Sequence, residues 1–360
     1  MSYKKIFIIF TALLLIGIFS ISCLIFYTKS YKVKTLINLI YKKNHHSNLS
    51  DRMTRFYILN KKQDLEYVIM GASSVWVLDP KIVEDKYKFK GAINISQGGA
   101  KLTEHYKFIL WMLKNKKDLK EILINLEPSS FNNLQYSRLP YEIEISLSDK
   151  IANFFSFLSF KDSIKIFLIN FNFLSKKKEI IEKGVGDFYF YSGLRFYPRY
   201  FERLNDNSLM TKMVNELKNS DVTYLRDSFD NKSFEYLSEI IKLTKGKNIK
   251  VKLFFDPVSH VLLKSNNYEY LYSELKIVKK IINELNHEVL YFNNLNEINY
   301  SLNLFEDGHH HYNYDAGNLI LKEMLNDRLK IGKKISKDNF SEFLDEILKK
   351  VKSEKINALY

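Results

Sequence analysis

The sequence predicts an α/β domain built on a doubly wound parallel sheet, and three observations support this fold class. Short apolar segments of strand length alternate with amphipathic segments of helical length, which is typical of parallel sheets covered on both faces. Several of the apolar segments stop abruptly at glycine or proline, as strands do before a tight turn. The chain has 360 residues, 46% of them hydrophobic and 15% aromatic, so it can bury a large core.

The first half of this domain contains three predicted strands and one predicted helix. Each strand is a short apolar run ahead of a turn signal, and the three lie at residues 66–70, 91–95 and 121–126. The helix is predicted at 101–116, because apolar side chains recur there at intervals of three or four residues on one face: Tyr106, Ile109, Leu110 and Leu113. This order indicates strand–helix crossovers within one parallel sheet.

The second half resumes the alternation after a long interruption. A strand at 250–255 precedes a helix at 268–285 and a short strand at 288–292. Residues 134–245 break the pattern and mostly favour helices and loops, so we expect a helical insertion there between the third and fourth strands. The α/β domain then spans residues 65–335, and residues 336–360 predict a C-terminal amphipathic helix.

The first 28 residues predict a transmembrane anchor. Residues 6–26 form an almost uninterrupted apolar run without a charge, which is long enough to cross a bilayer as a helix. The run ends in large side chains rather than in the small residues of a signal-peptide cleavage site, so we expect the anchor to be retained. Residues 29–64 form a basic linker. Although the linker's lysines oppose the positive-inside signal, a short N-terminus before a large domain favours a single-pass protein with an extracytoplasmic domain.

Charge and cysteine content exclude several classes of function. The formal net charge is +14, but the basic residues are spread along the chain without a nucleic-acid-binding motif, so no nucleic-acid partner is expected. We interpret the charge as a bias towards anionic surfaces such as phospholipid headgroups. Cys23 is the single cysteine, and therefore the chain has neither a disulfide nor a cysteine-based metal site.

Polar clusters follow the first two predicted strands, at the edge where ligands bind in open α/β sheets. In the first cluster, Gly71 permits a tight turn and Ser73 can open a helix with its hydroxyl exposed, which suits a nucleophile. A helix N-cap serine is the alternative interpretation. In the second, Gly98 and Gly99 can bring backbone N–H groups close to a substrate oxyanion, although the same pair also makes an ordinary turn.

A third cluster lies close to the end of the domain, at residues 306–312. Asp307 precedes His310 by three residues, so its carboxylate can orient an imidazole that takes a proton from a serine. A solvated polar loop is one alternative. A metal site formed by His309, His310 and His311 is another, but successive residues rarely converge on one ion, and no second set of ligands is visible.

Taken together, the order and placement of these clusters resemble the SGNH (GDSL-like) hydrolases and acyltransferases, in their membrane-anchored cell-envelope form. The resemblance covers about residues 65–132 and 249–320 and implies a flavodoxin-like doubly wound sheet. It implies that Ser73 is the nucleophile, that Gly99 is the oxyanion glycine, and that Asp307 and His310 are the acid and the base.

Two positions depart from a simple match to that family. His311 competes with His310 as the base, because His311-Tyr312 and the later Gly317 also fit the spacing of many anchored members. The family's third motif supplies an asparagine oxyanion donor after the third strand, whereas Ser129 occupies that position here. This departure favours an alternative, in which the module is catalytically silent and binds glycan or scaffolds an envelope-assembly complex.

The resemblance implies a serine esterase or O-acyltransferase that acts on acyl groups, in the first instance acetyl, of a cell-surface polysaccharide. It implies no metal or organic cofactor, and it suggests a membrane-bound acyl donor protein as a partner. Two other features stay open. His260 is a substrate contact or part of an ordinary strand-to-helix loop, and the aromatic run at 188–201 binds sugar, lies at a membrane interface or forms the core of the insertion.

Overall fold

The computed structural model of the chain describes residues 55–56, 58–60, 62–132, 188–189, 195–196, 229–265, 268–305, 310–326 and 329–357. The predicted anchor, most of the linker and most of the predicted insertion therefore lie outside the described residues. The chain divides into two compact units, Met1–Ile58 with Arg138–Val185, and Leu59–Ser137 with Gly186–Tyr360. All elements named below belong to the second unit. Among the described residues, no helix combines the length and the apolar character needed to cross a membrane.

A six-stranded mixed sheet with surrounding helices gives the second unit an α/β fold. In chain order the strands are β1 (Tyr67–Met70), β2 (Ala92–Asn94), β3 (Glu121–Asn125), β4 (Phe188–Tyr189), β5 (Arg195–Phe196), β6 (Lys250–Phe255), β7 (Val289–Tyr291) and β8 (Lys333–Ile335). The sheet order is β2-β1-β3-β6-β7-β8, and β4 pairs with β5 separately. All neighbours in the large sheet are parallel except β7 and β8.

Eight α-helices whose two ends are both described accompany the sheet. They are α1 (Pro80–Tyr87), α2 (Leu102–Asn115), α3 (Asn231–Lys245), α4 (His260–Ser265), α5 (Glu269–Lys280), α6 (Glu297–Tyr300), α7 (Tyr314–Met324) and α8 (Phe340–Asn357). A π-helical turn, Ile281–Leu285, extends α5. Short 3-10 turns at Ser73–Val77 and Pro128–Phe131 follow β1 and β3 directly.

The five strands predicted from the sequence are found within one residue of their expected ends, because each is a short run of mostly apolar residues that is largely buried. Strand β8 was not predicted. Of its three residues, Lys333, Lys334 and Ile335, only Ile335 is buried, so the strand carries no alternating or continuous apolar signal. The C-terminal helix begins at Phe340 after a turn over residues 337–339.

Helices cover the two faces of the sheet in two groups. On one face, α1, α7 and the Ser73–Val77 turn pack against β1, β3 and β6, and their apolar side chains form one buried cluster that includes Tyr67, Ile69, Val75, Val83, Leu123, Phe254, Ile320 and Leu321. Helices α2 and α3 pack against each other, and α3 contacts β6. Because full burial of one such side chain contributes about 1.5–3 kcal/mol, these contacts fix the strand ends that carry the polar site.

Candidate functional site

Ser73 opens the 3-10 turn that directly follows β1. The turn is tight because Gly71 lies against the neighbouring strand: a Cβ atom at Gly71 would lie 2.5 Å from the Asn125 Cβ and 2.6 Å from the Val75 Cγ2. Only glycine fits there without a shift of the backbone. Ser73 is partly exposed, whereas Ser74 next to it is buried. The fold therefore presents the Ser73 hydroxyl at the carboxyl edge of the sheet.

His311 lies within hydrogen-bonding distance of this hydroxyl. Its Nε2 is 2.7 Å from the Ser73 Oγ, and its ring lies alongside the Trp76 indole, with ring centroids 6.4 Å apart and planes inclined by 20°. Phe305 and Tyr312 form an antiparallel bridge that closes the loop preceding His311. A neutral imidazole in this position can accept the proton of the serine hydroxyl as the oxygen attacks an electrophile.

The helix after His311 is fastened to the segment after Ser73 at two points. The Tyr314 hydroxyl donates to Asp79 Oδ2 at 2.8 Å, and the same Asp79 side chain caps α1 by accepting from the Lys81 N–H. At Gly317, an added Cβ would lie 2.9 Å from the Val77 Cγ2, so α7 approaches the turn as closely as glycine allows. These contacts hold the loop that carries His310 and His311 (the histidine loop) against the Ser73–Val77 turn (the serine turn).

The loop after β2 also holds the serine turn in place. The Asn94 side-chain amide donates to the Val75 carbonyl at 2.7 Å and to the Leu78 carbonyl at 3.0 Å. The Gln97 N–H donates to the Gly71 carbonyl at 2.9 Å. Gly99, two residues further on, is exposed, has a φ of 59°, and has open space around its Cβ position. The predicted oxyanion glycine thus lies in a loop that is hydrogen-bonded to the turn carrying Ser73.

Ser129 lies on the 3-10 turn after β3, and both of its polar groups are engaged. Its hydroxyl donates to Glu127 Oε1, and its carbonyl accepts from Lys101 Nζ at 2.6 Å. A hydroxyl that is already bound to a carboxylate has to turn away from it before it can donate to a substrate oxyanion. The predicted third-motif donor is therefore not directed at the Ser73–His311 pair by the contacts that it makes.

Of the other residues predicted in the third cluster, the structure describes His310. The His310 ring centroid is 4.1 Å from that of His311, and His310 is partly exposed. Asp307 and His309 lie outside the described residues. Of the two candidate bases, the structure brings His311 to Ser73. Within the described ranges, no three side chains of the metal-ligating types converge on one point.

Sequence reasoning missed a buried acid at this edge of the sheet. Asp256, the residue after β6, is 1% exposed, and its Oδ1 accepts from the side-chain amide of Asn125 at 2.9 Å. Burial raises the pKa of Asp256 to about 6, with Glu127 adding to the increase and Ser74, Asn125 and His310 opposing it. The available signal was the position of the two residues, because Asn125 ends β3 and Asp256 directly follows β6, and both strands are mostly apolar near that end.

His260, which sequence reasoning considered at this rim, makes other contacts. Its Nδ1 lies 3.3 Å from the Asn299 carbonyl, and its ring packs against Tyr300 with centroids 5.3 Å apart. Desolvation by burial lowers the pKa of His260. These contacts support its interpretation as part of an ordinary strand-to-helix loop. The aromatic run at 188–201 is described only in the backbone of β4 and β5.

A second buried acid, Glu274 of α5, lies deeper in the same region. It is fully buried, and its Oε2 accepts from the Tyr291 hydroxyl and from the Asn293 amide, both at 2.8 Å. Burial raises the pKa of Glu274 well above its usual range, although both hydrogen bonds favour the charged form. The native protein therefore favours the protonated form of Glu274.

Replacing Glu274 with Gln is expected to stabilise the protein increasingly as pH rises. The folded state holds the Glu274 proton more tightly than the unfolded state. The contribution of Glu274 to wild-type stability is therefore fully present below its ordinary pKa of 4.5 and is lost as pH rises, whereas glutamine has no proton to lose. One such proton changes the free energy of unfolding by up to about 1.4 kcal/mol per pH unit. Chemical denaturation of wild type and Glu274→Gln between pH 6.5 and 8.5 checks this, because Asp256, with a pKa of about 6, is mostly ionised over that range.

The control for this prediction is Glu284→Gln, which removes a glutamate whose side chain is 55% exposed. Its unfolding free energy is expected to follow the wild-type pH dependence. Parallel curves for wild type and Glu274→Gln across the window would contradict a protonated Glu274 in the native state.

No protein-family model matches the sequence. Nor does any curated protein match it significantly. The fold and the site define the class of the chain as an α/β protein with a serine–histidine pair at the carboxyl edge of its sheet. A more particular function has to be argued from the geometry of that site.

Proposed function

We propose that this chain is a serine esterase or O-acyltransferase that acts on acyl groups, in the first instance acetyl, of a cell-surface polysaccharide. The observation that carries the proposal is the distance of 2.7 Å between Ser73 Oγ and His311 Nε2. A hydroxyl is a weak nucleophile at neutral pH, and an adjacent imidazole activates it by removing its proton. Ser73 is also partly exposed, so an ester can reach it.

The proposed reaction has two steps. Ser73 Oγ attacks the ester carbonyl while His311 takes the serine proton, and the oxyanion is held by the backbone N–H groups of Ser73 and Gly99. His311 then protonates the leaving alcohol, and the acyl group stays on Ser73. In the second step His311 takes a proton from water or from a sugar hydroxyl, which attacks the acyl-enzyme and restores the free serine. Asp307 orients the imidazole in this proposal.

The sheet topology is consistent with the SGNH-like form of this fold. The parallel strands follow the order β2-β1-β3-β6-β7, which is the order of flavodoxin-like doubly wound sheets. In such sheets ligands bind beyond the carboxyl ends of the strands. Ser73, Gly99, Ser129 and Asp256 all follow strands at that edge. The finer assignment, with an insertion between β3 and β6, is part of the proposal.

We further propose that the chain is anchored in the membrane by residues 1–28, with the α/β domain outside the cytoplasm. The apolar run at 6–26 supports the anchor. An enzyme held at that surface can reach envelope polysaccharides, and a membrane-bound acyl donor protein is the partner that a transferase would need. The proposed chemistry uses side chains and backbone amides alone.

One observation favours the alternative of a catalytically silent glycan-binding or scaffolding module. The Ser129 hydroxyl donates to Glu127 and is not available as the third oxyanion donor. Loss of one such donor lowers a catalytic rate by about 10²–10³-fold but leaves the serine reactive. The silent alternative therefore predicts that Ser73 fails to react even with an activated electrophile.

The experiment that tests the proposal is labelling of the purified full chain with a fluorophosphonate, followed by peptide mapping of the adduct. We expect one adduct, on Ser73, which disappears in Ser73→Ala and persists in Ser301→Ala, because the Ser301 hydroxyl donates to the Glu297 carbonyl in an exposed position. Hydrolysis of an aryl acetate by the same proteins supplies a second readout. An unlabelled Ser73 in correctly folded protein would overturn the proposal in favour of the silent module.

A further inference from the structure

A buried carboxyl lies behind the Ser73–His311 pair, and three chain segments meet at it. Asp256 directly follows β6, Asn125 ends β3, and Ser74 lies in the turn that carries the nucleophile. Asn125 connects Asp256 to the start of this turn, because its amide donates to Asp256 Oδ1 at 2.9 Å while its Cβ packs against Gly71. The carboxyl is therefore tied to the turn through its neighbours on both sides.

The Ser74 hydroxyl lies near this carboxyl. Asp256 Oδ2 and Ser74 Oγ are both buried, and neither completes a hydrogen bond of good geometry within the part of the chain that the structure describes. The Ser74 hydroxyl nevertheless lies close enough to lower the pKa of Asp256. Because a hydroxyl rotates freely about its C–O bond, a small adjustment of the side chain lets Ser74 donate to Asp256.

Asp256 also acts electrostatically on both residues that flank His311. Its charge and that of His310 attract each other, and its charge contributes to the raised pKa of the buried Tyr312. An interaction of this kind is weakly screened, since Asp256 is 1% exposed. A negative charge at this point favours a positive charge in the histidine loop.

We infer that Asp256 is a positioning residue for the reaction proposed above: it accepts the Ser74 hydroxyl, fixes the turn that carries Ser73, and stabilises the imidazolium that forms on His311. The inference rests on the proposed function. This role differs from the one proposed above for Asp307. In this inference Asp256 acts through Ser74 and through its charge.

The ionisation of Asp256 connects this role to pH. Its pKa of about 6 means that the carboxylate is present at pH 7.5 and is lost as pH falls through about 6. The titratable groups facing it are Glu127 after β3, Glu274 and Tyr270 on α5, and His310 and Tyr312 in the histidine loop. Glu127 opposes the charge of Asp256, whereas His310 favours it.

The test is the rate of fluorophosphonate labelling of Ser73 in the full chain between pH 5 and 8.5. Asp256→Asn is expected to lower this rate at pH 7.5 by about 10- to 100-fold, the loss typical of a misplaced reacting group. It is also expected to remove the component of the pH profile with a midpoint near 6. Asp315→Asn, which changes an exposed carboxylate four residues after His311, serves as the control and keeps the wild-type profile.

Ser74→Ala supplies a second, independent measurement. Removing the hydroxyl that lowers the pKa of Asp256 is expected to move the acidic midpoint of the labelling profile to higher pH, with a loss of rate of about 3- to 10-fold at pH 7.5. A purely structural role for Ser74 would lower the unfolding midpoint and leave the acidic midpoint in place. The pH profile of Ser74→Ala tests the role of Asp256 if Asp256→Asn does not fold.

The outcomes separate this inference from the proposed function. Wild-type protein that is not labelled at Ser73 overturns the proposed function, and the inference with it. Wild-type protein that is labelled, together with variants that keep its rate and its acidic midpoint, overturns the role of Asp256 alone. A lower rate in Asp256→Asn and a shifted midpoint in Ser74→Ala support both.

Discussion

His311→Ala is expected to lower the rate of aryl acetate hydrolysis by at least about 10³-fold, because loss of the base of a serine–histidine pair removes most of its rate enhancement. The 2.7 Å contact with Ser73 Oγ is made by His311, and its neighbour His310 packs against the His311 ring. His310→Ala is therefore expected to lower the same rate by less than about 10-fold, because His310 acts on the pair only as a nearby charge in this proposal. Steady-state hydrolysis and the rate of fluorophosphonate labelling check both values.

The two histidine variants are matched controls for each other, since they are adjacent, partly exposed and in one loop. Thermal unfolding followed by circular dichroism should give similar midpoints for both, which separates a catalytic loss from a loss of structure. The opposite result, with His310→Ala inactive and His311→Ala active, would mean that Asp307 and His310 form the working pair. The Ser73–His311 contact would then be a resting arrangement.

The strands could be predicted because each is a short, mostly apolar run that ends at or near a turn signal. Residues 250–255 illustrate this, since the predicted and observed bounds of β6 coincide. Strand β8 could not be predicted, because a short edge strand with exposed lysines is specified by its neighbour β7 rather than by its own residues. The aromatic and lysine-rich region before α3 gave no periodic signal of comparable strength.

The sequence predicted which loop supplies the base of the site, but not which histidine of that loop contacts Ser73. Adjacent residues such as His310 and His311 differ in direction through the backbone path, which here depends on the Phe305–Tyr312 bridge and on the cap of α7 at Asn313. No sequence spacing reports that path. Asp256 was missed for a related reason, because the pairing of β3 with β6 decides that it meets Asn125. The sequence shows which strands end in polar residues but not which strands are neighbours.

Gly71→Ala is expected to destabilise the folded protein by about 3 kcal/mol, at the upper end of the usual cost of overpacking a core. The added methyl group would lie 2.5 Å from Asn125 Cβ and 2.6 Å from Val75 Cγ2. Neither neighbour can withdraw easily, since Asn125 lies in a central strand and holds Asp256, and Val75 belongs to the buried cluster. Urea unfolding of the full chain at pH 7.5 measures the change in free energy.

Gly246→Ala is the matched control for Gly71→Ala. Both substitutions reduce the conformational freedom of the unfolded chain equally, by an amount that stabilises a protein by about 0.4–1 kcal/mol where the native backbone accepts alanine. Gly246 has a φ of −63° and its added Cβ would meet no atom closer than 3.6 Å, so this variant is expected to be as stable as wild type or slightly more so. The difference between the two variants therefore isolates the clash at Gly71. If Gly71→Ala were as stable as Gly246→Ala, the serine turn would have room to move away from β3, and a fixed Ser73 could no longer be inferred from the packing of Gly71.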